Sequence, residues 1–189
     1  MLTVGIVLAV ASTLLGLVGL GMTGHMAAHM GAVAVAAPVL ALSTSRLRDH
    51  GGQGAGSPLT WATIEFVVVW AWHAPALREL ADTHVALALV EQAMFLGVGV
   101  GLWRAALAHP AGGVAALLLT SMHMTLLGAL IGLASRPLYV MMAMHPAPGL
   151  DAVADQQLGG VVMLTVGGAV YCLGGLALLG TLLRERAAA

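Results

Sequence analysis

The chain reads as long apolar runs separated by short polar interruptions. Nearly uncharged stretches cover roughly 2–20, 24–42, 59–77, 84–104, 112–133 and 158–182. Each is close to the ~20 residues that carry a helix across a hydrocarbon core about 30 Å thick. Lipid offers no partner to backbone N–H and C=O groups, so each run predicts a transmembrane helix. The pattern thus predicts an all-α, multi-pass integral membrane bundle of about six spans, forming one domain over 1–189. The first run lacks the positive residues that open a signal peptide and is long for one, so it reads as a span. "GLGMTG" (19–24) predicts a tight turn between the first two spans, and 43–58, STSRLRDHGGQGAGSP, a flexible loop.

Composition supports this reading and narrows it. Of 189 residues, 60% are hydrophobic and 8% charged, and mean hydropathy is +0.97; a soluble domain carries about a quarter charged residues. A net charge of −1 with no lysine argues against nucleic acid as a partner. The single cysteine, Cys172, rules out an intrachain disulfide and reads as a packing residue. With six spans, Arg46, Arg48, Arg104, Arg184 and Arg186 all fall on one side, leaving Arg78 and Arg136 on the other. The positive-inside rule makes the first side cytoplasmic, with both termini there. Trp61 and Trp103 then come near the inner interface and Trp72 and Tyr139 near the outer one, where amphipathic rings settle.

This orientation gathers six of the eight histidines in the outer half of the membrane or just beyond it: His25, His29, His73, His84, His123 and His145. His123 lies deepest, ~15 Å from the outer end of its span. His25 and His29 share a helical face about 140° wide with Met22, Met26 and Met30. Spacing of i, i+4 lets two imidazoles reach one ion. Thioether and imidazole ligands suit copper, whereas zinc usually recruits thiolate or carboxylate as well. The plainer readings are a packing stripe for the methionines and helix-bridging hydrogen bonds for the histidines. His50, His109 and His145, in loops, need no special purpose.

The remaining polar residues pose smaller questions. A charged Glu91 in hydrocarbon costs ~2.5 kcal/mol or more, so it needs a partner, for which His84 and His123 are candidates. Glu65 raises the same question with no partner in view. Asp155 reads as the N-cap of the sixth span, with Gln156 and Gln157 at the interface. Gly159, Gly160, Gly167, Gly168, Gly174 and Gly175 would let that helix approach its neighbours closely. Catalytic signatures are missing: no Ser-His-Asp order or phosphate loop stands out. "HMAAH" has Met26 where a metalloprotease helix needs glutamate.

Five strings occur in order: "HMAAHM" (25–30), "WHAPAL" (72–77), "HVALALVEQAMFL" (84–96), "RPLY" (136–139) and "DQQLGGVVM" (155–163). Together they resemble the polytopic CtaG family of cytochrome c oxidase assembly factors. The resemblance implies a bacterial inner-membrane protein that is not an enzyme and that matures a haem–copper oxidase by handling copper. Its partners would be an oxidase subunit or a copper donor protein. The family's histidines match His25, His29 and His73, and its acidic-glutamine motif matches Asp155 and Gln157. The chain departs from the family in having Glu91-Gln92 where Glu-His is usual, Arg78 where an aromatic follows "WHAPAL", and Leu164 where a tryptophan follows Met163. Six spans is also fewer than the family norm.

The expected metal site is therefore His25 and His29 from the second span with His73 from the third, completed by His84 or His123. Met26 or Met30 would line the path to it. Two functions of other kinds stay open. One is a haem-binding cytochrome, with His29 facing His73 or His123. The other is a proton-coupled transporter using Glu65 and Glu91.

Overall fold

The computed structural model describes residues 1–45 and 56–188; Arg46, Arg48 and His50 lie outside the described residues. The described residues are helical and hold no strand. Helix α1 spans Leu2–Leu17 and α2 Gly21–Thr44. Then come α3 (Pro58–Trp72), α4 (Pro75–Thr83), α5 (Val85–Ala108), α6 (Pro110–Gly132), α7 (Val140–Met144) and α8 (Ala152–Ala188). Helices α2, α5, α6 and α8 are long and apolar enough to cross a membrane, and α1 and α3 are shorter apolar helices. Six apolar helices match the six predicted runs.

Helix α2 is the centre of the bundle: 61% of its span is buried, against 28–39% for α5, α6 and α8. It packs on α1, α5 and α8. Alanines and glycines make this closeness possible, because apolar helices in lipid associate through tight packing. A Cβ on Gly160 would meet the α6 backbone at Gly128 and Gly132. One on Gly159 would meet Met22, and one on Gly167 would meet Met30 and Met124. The predicted close approach of the last helix is therefore present. Met22, Met26 and Met30 are all buried in this core. The predicted turn before α2 is also there, with Gly19 and Gly21 at φ +71° and +60°, a region L side chains rarely adopt.

A π-helical segment, Gly31–Ala36, interrupts α2. Pro38 follows it and has no N–H, while the Ala37 N–H bonds back to the Ala32 carbonyl. The Val33 carbonyl is thus left without a helical donor. It receives Trp103 Nε1 at 3.2 Å and the Tyr171 hydroxyl at 3.3 Å, which ties α5 and α8 to the centre of α2. The Tyr171 hydroxyl also lies 2.5 Å from Glu65 Oε1, so Tyr171 is the partner that Glu65 needs.

Several expectations require correction. The third run ends at Trp72 rather than 77, because Pro75 forces Ala74 into an extended conformation (φ −67°, ψ 131°). The chain then turns into the separate helix α4. The last helix begins at Ala152 rather than 158. Its N-cap is Asp151, whose carboxylate accepts from Val153 and Ala154 N–H at 2.9 and 2.8 Å. Asp155 instead caps α2 from across the bundle, accepting from Met22 N–H at 2.7 Å and Thr23 N–H at 3.0 Å. Gln156 is buried rather than interfacial; it accepts from Leu138 N–H and donates to the Ile131 and Arg136 carbonyls. Trp72, Trp103 and Tyr139 are buried among helices rather than presented at the bundle surface. Each ring has a protein partner: Met94 sulfur for Trp72, the Val33 carbonyl for Trp103 and the His73 carbonyl for Tyr139.

The cross-bundle cap makes a testable prediction. Asp155→Ala orphans two donors at the start of α2, one of them buried, and should cost about 1–3 kcal/mol. Asp151→Ala removes an exposed cap and should cost about 1 kcal/mol. Thermal unfolding of the two variants in detergent should show Asp155→Ala as the less stable.

Candidate metal centre

Three imidazoles meet at the end of the bundle where α2 begins and α3 ends. His25 and His29 project from successive turns of α2, and His73 follows the last residue of α3. Ring centres are 5.3 Å apart for His25–His73, 5.1 Å for His29–His73 and 6.4 Å for His25–His29. Imidazoles sharing one ion at the usual ~2 Å bond length have centres about 5–6 Å apart. Phe95, fully buried, supports the group from α5 and stacks on His29 at 4.0 Å.

The nitrogens are held unequally. His73 Nδ1 lies 2.7 Å from the Val69 carbonyl, which fixes the proton on Nδ1 and leaves Nε2 with a free lone pair. Histidine ligands are commonly oriented in this way. His73 Nε2 and both nitrogens of His29 are buried with no hydrogen-bond partner among the described residues. Leaving such atoms unpaired costs free energy, so a native cluster of them calls for an explanation. His25 differs, because its Nδ1 accepts from Arg78 Nη1 at 2.8 Å. Among the described residues, no three His, Cys, Asp or Glu side chains converge closely enough to ligate an ion. The His25–His73 and His29–His73 spacings fall in that range, whereas His25–His29 is wider at 6.4 Å and His25 Nδ1 is taken by the guanidinium.

Arg78 is the residue that sequence reasoning missed. It was placed at the outer surface; it is 3% exposed. Helix α4 turns it inward, where Nη1 bonds Glu91 at 2.5 Å and Nη2 bonds Asp82 at 2.9 Å. Arg78 is therefore the partner of Glu91, rather than His84 or His123. The signal was available: a buried carboxylate demands a cation, and the outer side of the chain has only two arginines. The cluster sets two carboxylates against one guanidinium, a formal charge of −1. Burial pushes the Asp82 carboxyl above its ordinary range, and Arg78 pulls it back. Burial likewise raises the Tyr139 hydroxyl to about 12, so it stays a donor to the His73 carbonyl.

The rings of the two histidines expected to complete the site pack elsewhere. His84 is exposed, with Nδ1 2.8 Å from the Thr83 hydroxyl and 3.1 Å from the Leu80 carbonyl. It is the extended residue that opens α5, and that position turns its ring away from the bundle interior. His123 lies edge-on to Phe66 at 5.3 Å and lines a lateral groove between α3 and α6. Both its nitrogens lack a partner among the described residues. His145, read as a plain loop residue, instead lines a cavity of about 250 Å³ that also reaches His25, Arg78 and Asp82.

The family profile described as "Cytochrome c oxidase caa3 assembly factor (Caa3_CtaG)" matches residues 2–185. The chain belongs to this CtaG family. No curated protein and no solved structure matches the chain. The three positions that carried the CtaG resemblance in the histidines, His25, His29 and His73, are the three that the fold brings together. The CtaG-like Asp155 serves the same region indirectly, by capping the helix from which His25 and His29 project.

The buried ion pair of this CtaG-family chain predicts a non-additive mutant cycle. Arg78→Ala alone leaves Glu91 buried without a counter-charge and should cost about 3–5 kcal/mol. Arg78→Gln combined with Glu91→Gln removes the deeply buried charges, leaves only the more accessible Asp82 carboxylate without its partner, and should cost less. Thermal unfolding of the single and double variants checks the order; equal losses would contradict the pairing.

Proposed function

We propose that this chain is a non-enzymatic assembly factor of the bacterial inner membrane that holds copper for a caa3-type haem–copper oxidase. Copper is its cargo, taken from a donor and given to an oxidase subunit. The observation that carries this reading is the buried cluster of His25, His29 and His73, in which His29 and His73 Nε2 have no protein partner. Neutral imidazole nitrogens in a site of net formal negative charge suit a cation.

In this reading His29 and His73 are the primary ligands. His25 joins when Arg78 swings toward Asp82, to which it is already bonded. The guanidinium thus competes with the ion, which keeps retention weak and favours release. The haem alternative fits less well. Axial imidazoles on opposite faces of one iron stand about 6 Å apart, with a macrocycle between them. His29 and His73 are 5.1 Å apart, and Phe95 lies against His29. The transporter alternative has less to work with, since both Glu91 oxygens bond Arg78 and one Glu65 oxygen bonds Tyr171.

The test is His29→Ala with His73→Ala. The double variant should fold, lose copper from the detergent-purified protein, and lower oxidase activity in membranes of the producing cells. Copper content equal to that of the parent chain refutes the site. A Soret band in the parent protein would favour haem.

A further inference from the structure

Helix α7 carries a dense soft-ligand motif, "MMAMH" (141–145), at the end of the bundle predicted to face outward. Met141 and Met142 line the cavity of about 250 Å³ together with His145, and His25 and Arg78 line it as well. The gradient of exposure gives the cavity a direction: His145 is exposed, Met141 half-buried, Met142 buried, and His25 only 6% exposed. The cavity therefore leads from the exposed His145 to His25, the imidazole of the cluster that lines it beside Arg78. Asp82 stands in its wall.

We propose that Met141 and His145, with Met142 behind them, form an outer loading site for a monovalent soft cation, Cu⁺, which then passes inward to His25, His29 and His73. The inference rests on the copper reading above and adds to it the residues that first capture the ion. Met141, on the short helix α7, and His145, the residue that closes it, both line the cavity. His145 Nδ1 is turned onto the Met141 carbonyl at 3.4 Å, leaving Nε2 for an ion. Two thioethers and one imidazole select Cu⁺ over hard divalent ions. Asp82, partly buried in the cavity wall, adds a carboxylate that draws a cation inward. Transfer is stepwise ligand exchange with no change in the oxidation state of copper.

The experiment follows uptake of Cu⁺ from a coloured Cu⁺–chelator complex by the full chain in detergent, by stopped-flow absorbance. Met141→Leu with His145→Gln keeps side-chain volume and changes residues outside the bundle core. The double variant should take up copper about ten-fold more slowly, the low end of what a focusing cleft adds to an on-rate. It should reach the same final copper content. An unchanged rate overturns the loading site. A fall in final content with unchanged initial rate also overturns it, because the two residues would then hold the ion rather than admit it. The His29→Ala/His73→Ala chain separates this inference from the reading beneath it. Rapid uptake of an easily recovered ion by that chain, lost on adding Met141→Leu/His145→Gln, supports the outer site. If removing the buried pair leaves binding and recovery as in the parent, the outer site stands and the buried site falls. No uptake by the parent chain overturns both.

Discussion

A guanidinium buried at one end of an apolar bundle governs the rest of this structure. Arg78 is 3% exposed and Glu91 1% exposed, and neither charge would be tolerable there alone. Pairing them requires α4 to leave the line of α3 and fold over the mouth of α5. The Ala74-Pro75 break allows this turn, and Asp82 and the His25 ring accept further hydrogen bonds from the two terminal nitrogens of the guanidinium. The same turn leaves His73 at the end of α3 with its carbonyl held by Tyr139 and its Nδ1 by Val69. The tautomer of the third imidazole is set locally by the Val69 carbonyl one turn back on α3, and its place at the end of α3 by the break that the charge pair requires.

The imidazoles on α2 depend on a second constraint, how that helix is fixed in the bundle. It is anchored at its start by the Asp155 carboxylate and at its middle by Trp103 and Tyr171 on the Val33 carbonyl. Both anchors satisfy backbone groups that a helix in lipid cannot leave bare. Each draws on a different helix, so α8 and α5 together set the depth and rotation of α2. His25 and His29 face Phe95 and His73 because of that setting. The π-helical segment is part of the arrangement, since a regular helix would have consumed the carbonyl that the two aromatic side chains reach.

This division explains what could be read from the sequence. Apolar runs are a property of the chain's contact with lipid, so six helices were legible, and the histidine spacing put His25, His29 and His73 at one level. Paired polar groups are a property of the fold. Nothing in "WHAPALRELAD" shows that Arg78 turns inward, because the amphipathic pattern of α4 is compatible with a helix lying on a surface. Asp155 stands where a cap belongs, but Asp151 four residues earlier takes that role, and only the packing of α8 on α2 gives Asp155 its donors. His84 and His123 had plausible depth, but depth along a helix does not fix rotation. His84 opens α5 outward, and His123 faces Phe66 across a lateral groove.

The departures from the CtaG pattern acquire a physical meaning from the same geometry. Where the family usually places an aromatic after "WHAPAL", this chain has Arg78, and where it places a second histidine after the glutamate, this chain has Gln92. Gln92 is buried, with its amide side near Gly16 of α1. One imidazole fewer and one guanidinium more both lower the affinity of a site for a cation. They do so without disturbing ring spacing, which depends on α2, α3 and Phe95. A carrier that must surrender its ion to a client gains from such a change. On the copper reading proposed above, the guanidinium stays bonded to Asp82 while the ion is held and bonds Glu91 and His25 in its absence, so departure of the ion does not leave Glu91 an uncompensated buried carboxylate.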